Sequence, residues 1–135
     1  MKSTIKIVQA EDGCKYDFRI TLLNDQDIVE QVGVSYLRSR AETTGLVFRT
    51  GGLELRPIEF VLVKSKKSNV KSELAPGEEI VIVLTAELRN VDDGRWWLAF
   101  RSATYEVQPD TIYYVSFLLG RYQTNEIEWQ FSHAS

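Results

Sequence analysis

His133 is the only histidine and Cys14 the only cysteine in the chain, so little side-chain chemistry is open to it. A nucleophile and histidine pair needs a rigidly held base, and His133 stands near the C-terminus, where chains fray. One Cys and one His do not make up the ligand set of a zinc site. The acidic stretches "EDG", "NDQD" and "NVDD" have the oxygen donors that calcium takes from sandwich loops. Asp and Asn are equally what turns use, and the spaced acidic pairs of calcium-dependent lipid-binding sandwiches are missing. Nothing singles out two of the nineteen acids as the acid and base of a glycosidase. The expectation is a protein that is not an enzyme and carries no cofactor, with a calcium-dependent binding module as an alternative.

Aromatic rings are the richer resource. Trp96, Trp97, Tyr105, Tyr113, Tyr114, Tyr122 and Trp129 crowd the last third of the chain. Flat rings fill cores, and on a surface they bind sugar rings or apolar anchors because they offer large rigid area. A carbohydrate-binding sandwich is therefore a second alternative.

The elements that must position these residues have a period of two. In "YDFRITLL", Tyr16, Phe18, Ile20 and Leu22 alternate with Asp17, Arg19 and Thr21; in "EIEWQF", Ile127, Trp129 and Phe131 alternate with Glu126, Glu128 and Gln130. Such alternation marks half-buried strands. Further strands are expected near Thr4 to Gln9, Ile28 to Leu37, Leu46 to Arg49, Ile58 to Lys64, Glu79 to Leu88, Arg95 to Ala103 and Thr111 to Leu119. Turn residues in "TGG", "APGE", "NVDDG" and "QPD" separate them. A short helix is expected from Ser65 to Leu74. Pro76 and Gly77 suit a type II turn, and Asp92, Asp93 and Gly94 suit a hairpin that sets Leu84 to Leu88 against Trp96 to Phe100.

About eight or nine strands without a long helix predict an all-β antiparallel sandwich. The order "YDFRITLLN", "LAPGEEIVIVLTAEL", "DGRWWLAF" resembles the immunoglobulin-like and fibronectin-III-like accessory domains of bacteria, over roughly Tyr16 to Leu119. In those domains a leucine-x-proline-glycine-glutamate turn leads into a long strand, and a glycine precedes an aromatic partner strand. The resemblance implies an immunoglobulin-like architecture and no particular activity.

Three runs break the alternation. "FVLV", "IVIVL" and "IYYVSFLL" are apolar on both faces, as strands covered on both sides are. A loop lying across the sheet answers this, and so does a partner. Parity assigns Trp96, with Leu98 and Phe100, to the core, and Trp97, with Ala99 and Arg101, to the outer face. The candidate interface or ligand surface is therefore Trp97, Arg101, Val81, Val83, Tyr113 and Tyr114. The leading expectation is a protein-interaction module that forms a homodimer through an apolar sheet face.

Bulk properties narrow the setting. A chain of 135 residues fits one domain spanning 1–135. Sixteen basic against nineteen acidic residues give a net charge of −3, which favours neither nucleic acid nor an acidic membrane as partner. The four lysines of "KSKKSNVK" read as a solvated loop. No apolar run nears the roughly 20 residues of a membrane span, and no secretory signal is visible. A single cysteine fits a reducing compartment, so the expected location is cytoplasmic.

Overall fold

The computed structural model describes residues 1–11, 13–31, 45–60, 73–92, 94–101, 103–119 and 122–132. Every element among them is a strand: β1 Lys2–Gln9, β2 Lys15–Leu23, β3 Glu30–Gln31, β4 Leu46–Thr50, β5 Leu53–Leu55, β6 Glu59–Phe60, β7 Glu73–Leu74, β8 Glu79–Asp92, β9 Arg95–Ala99, β10 Ala103–Val107, β11 Tyr113–Leu119, β12 Tyr122–Gln123 and β13 Ile127–Trp129. They form an antiparallel all-β sandwich. One sheet runs β1-β2-β8-β9-β10-β6; the other runs β12-β11-β4-β5, with β13 also paired to β11; β3 and β7 form a separate pair.

The expected alternation carries the first sheet. Along β2 every second side chain, Tyr16, Phe18, Ile20 and Leu22, is buried. Its partner β8 buries Ile82, Leu84 and Ala86 in the same phase, because the register sets Ile20 opposite Ile82 and Phe18 opposite Leu84. From the second sheet Phe48, Val115, Phe117 and Trp129 point inward. Phe48 joins the layers, its ring 6.0 Å from Phe18 and 4.8 Å from Tyr105. Each such fully buried ring contributes roughly 1.5–3 kcal/mol of burial energy.

Turn chemistry follows the sequence. Glu78 N–H donates to the Ala75 carbonyl at 3.0 Å, and Gly77 takes a φ of 82°, the positive value that the second central position of a type II turn needs. The β8–β9 hairpin forms, with Leu88 opposite Leu98 and Asp92 opposite Arg95. Gly51 and Gly52, at φ 57° and 81°, close β4 onto β5 as a type I′ pair. Gly45 is small for another reason. A Cβ there would stand 2.4 Å from the nearest Phe117 ring carbon. Gly45→Ala is expected to lower stability by about 1–3 kcal/mol through overpacking, read as a shift in the urea midpoint.

Other expectations need correction. The strand expected from Arg95 to Ala103 is two strands, folded back where Phe100 N–H donates to the Ala103 carbonyl at 2.8 Å. "FRSA" has no Gly, Pro or Asn to announce that reversal. Of the helix expected from Ser65 to Leu74, Glu73 and Leu74 instead pair with Gln31 and Glu30 as strands; residues 65–72 lie outside the described residues. So do residues 32–37 and 61–64 of two expected strands, and with them most of "FVLV". Among the described residues no helix is long and apolar enough to cross a membrane.

Candidate binding surface

The six surface candidates do not form one patch. Tyr113 must be moved to the core. It is 2% exposed, since odd positions of β11 face inward. Its hydroxyl accepts a 2.8 Å hydrogen bond from Gln108 N–H, which bridges the β10–β11 corner. Burial pushes its phenol above the ordinary value, partly offset by the Gln108 hydrogen bond, so Tyr113 stays neutral and locks the corner.

Val81, Val83 and Trp97 lie on the outer face of the first sheet, and Arg101 is exposed in the β9–β10 turn. The valines face outward between charged and hydroxyl neighbours, with Thr21 opposite Val81 and Arg19 opposite Val83. Thr85 and Glu87 separate them from Trp97, whose cross-strand neighbours are Arg89 and Glu106. Trp97 is half-buried, and its indole N–H is shielded with no hydrogen-bond partner among the described residues. Trp96 points to the opposite side, its ring 5.4 Å from Phe131. The parity assignment of the doublet holds, but Trp97 stands among ion pairs rather than on an apolar patch.

Tyr114 is different. It belongs to a row on the outer face of β11, the central strand of the second sheet. Ile112, Tyr114 and Leu118 share that side and are each 40–46% exposed. Ser116, between them, is only 3% exposed. On one flank Tyr114 pairs with Arg49 of β4, and on the other with Glu128 of β13. Arg49 Nη1 also reaches across the row to Glu126 Oε2 at 3.8 Å.

At one end of this row is a cavity of about 250 Å³ lined by Arg49, Thr50, Gly51, Gly52, Tyr114 and Glu126. Thr50 donates its hydroxyl to the Ile112 carbonyl at 3.1 Å, fixing the hairpin against the start of β11. Of these six residues only Tyr114 is a site candidate from the sequence. Gly51 and Gly52 were legible only as a turn. Arg49 and Glu126 have no signal of their own, because only strand register brings them beside Tyr114.

Among the described residues no three His, Cys, Asp or Glu side chains converge as a metal ion would require. His133 lies outside the described residues. No protein-family model matches the chain, and no curated protein does.

Proposed function

We propose that this chain is a non-enzymatic protein-interaction module that self-associates through the outer face of its second sheet. The observation that carries this reading is the row of Ile112, Tyr114 and Leu118, three large side chains exposed on one side of β11 and of the residue that leads into it, with buried Ser116 between the last two. Exposed apolar rows with polar rims mark interaction surfaces.

Charge placement favours a second copy as the occupant. Arg49 flanks the row on the β4 side and Glu126 and Glu128 flank it on the β13 side. A two-fold axis lying in the interface and parallel to β11 brings each copy's arginine flank opposite the other's glutamate flank. That is the self-complementarity an isologous dimer needs. The face is small. Seven residues at ~3.3 Å and four strands at ~4.8 Å give roughly 400 Å² per copy, below the ~800 Å² per partner of stable complexes. The association is accordingly weak and concentration-dependent.

An immunoglobulin-like architecture goes with this reading. It is supported by the second sheet, in which the late strands β13 and β11 lie beside the early pair β4 and β5. It is supported also by the Tyr113 hydroxyl that spans the corner before β11, as tyrosine corners of such sandwiches do. A cytoplasmic setting belongs to the same proposal, on the ground of the single cysteine.

Sedimentation equilibrium tests it. The expected weight-average mass rises above 15.5 kDa in the high micromolar range, and Leu118→Lys returns it to the monomer value with an unchanged thermal midpoint. A wild-type chain that stays at the monomer mass throughout overturns the proposal.

A further inference from the structure

The cavity beside Tyr114 has the chemistry of a ligand subsite, built from residues that the proposed self-association covers, so the subsite belongs to the monomer. We propose that it binds one neutral pyranose sugar ring.

Size sets the first limit. At about 250 Å³ the cavity is smaller than the ~300–1,000 Å³ that drug-sized ligands occupy, which leaves room for about one ring. Tyr114 supplies a partly exposed aromatic wall on which the C–H face of a sugar packs.

Polar groups set the second. The Arg49 guanidinium and the Glu126 carboxylate stand 3.8 Å apart, too far for a direct hydrogen bond. Among the described residues neither group is held by a hydrogen bond, so both can turn to a guest. Guanidinium only donates and carboxylate only accepts, whereas a hydroxyl does both. Two adjacent sugar hydroxyls can accept from Arg49 and donate to Glu126 at once. Because the two opposite charges stand side by side in the cavity lining, an anion drawn to Arg49 meets Glu126 and a cation drawn to Glu126 meets Arg49. A neutral polyol satisfies both.

The Gly51–Gly52 turn completes the cavity by what it lacks. A Cβ built at either glycine meets nothing within 4 Å, so that edge is open space where a ring can approach the backbone. Thr50 lines the cavity too; its hydroxyl donates its proton to the Ile112 carbonyl and so is left as an acceptor.

The test is an amide NMR titration at protein concentrations where the chain is monomeric, so that self-association has no bearing on the result. The probes are glucose, galactose, mannose and N-acetylglucosamine, with sodium phosphate and tetramethylammonium chloride as charged controls. At least one sugar is expected to shift the Gly51, Gly52 and Tyr114 amides with a dissociation constant of about 1–10 mM, an affinity in the range of a few hydrogen bonds and one stacked ring. Tyr114→Ala and Arg49→Ala are each expected to weaken binding tenfold or more without moving the thermal midpoint. The inference is overturned by a chain that no sugar shifts, by sugar shifts scattered away from the hairpin, or by a response to phosphate or tetramethylammonium that equals the sugar response.

Discussion

Trp129→Ala is expected to lower the unfolding free energy by about 3–5 kcal/mol, the cost of truncating a large buried aromatic, whereas Trp129→Phe costs no more than about 1.5 kcal/mol. Trp129 is the residue at which the two sheets meet. Its ring lies 5.4 Å from Tyr16 of the first sheet, edge to face, and 5.8 Å and 6.4 Å from Tyr113 and Phe48 of the second. Phe131 adds a fourth ring at 5.6 Å. Removing the indole leaves a void that four rigid rings cannot collapse to fill, which places the loss at the high end for such changes. Phenylalanine keeps most of the contact. It also removes an indole N–H that is buried with no hydrogen-bond partner among the described residues, so no acceptor is orphaned by the change. Urea titration followed by far-ultraviolet circular dichroism separates the two variants without relying on the mutated chromophore. Equal losses for Ala and Phe would show that the N–H, not the ring contacts, carries the stability. Against a total of about 5–15 kcal/mol for an ordinary domain, the alanine variant is close to the limit of folding.

What the sequence makes legible here is whatever depends on neighbours along the chain. Alternation in "YDFRITLL" and "EIEWQF" gives the strands and their buried sides, and it orients Trp96 and Trp97 correctly. "APGE" and "NVDDG" give turns because Pro fixes φ and Gly tolerates its positive values. Along β11 the same parity separates Tyr114 from the inward positions, so it argues against Tyr113 as a surface residue. A doubled tyrosine on a strand cannot place both rings on one face. The rest depends on pairing between distant segments. Arg49 and Tyr114 are cross-strand neighbours although 65 positions apart, and Glu126 reaches the same place from the far side of β11. No local period encodes that proximity. The expected apolar patch on β8 fails for a related reason, since Val81 and Val83 are isolated by partners, Thr21 and Arg19, that only the register reveals.

Asn24 is the strongest case of a residue whose role lies outside local pattern, and its replacement is the second change expected to be severe. "NDQD" reads as a turn, but Asn24 is fully buried. Its side-chain amide donates to the carbonyls of Ile28 and Leu74, each at 2.8 Å, and its side-chain oxygen accepts from Gln26 N–H at 3.0 Å. Its backbone donates to the Glu78 carbonyl and accepts from Gly77 N–H. The side chain thus ties the end of β2 to β7, and the backbone of the same residue ties it to the turn that launches β8. Asn24→Leu keeps the volume and leaves two carbonyls and one N–H without that partner. At about 1–3 kcal/mol for each buried group left unpaired, with some recovered by water, the expected loss is roughly 2–4 kcal/mol in urea denaturation. Asn24→Asp gives a sharper test, because a carboxylate has no proton to donate to Ile28 and Leu74. Burial and the two facing carbonyl oxygens favour its neutral form, raising its folded value above the ~3.9 of an unfolded Asp. A raised folded value makes the native state bind the extra proton, so stability relative to wild type is greatest below the unfolded value. It is lost as pH rises through the folded one, and flat beyond it. Urea midpoints for both chains at about pH 3.5, 5 and 7 are expected to diverge as pH rises. Parallel pH profiles for the two chains would mean that the Asn24 amide does not face those carbonyls in solution.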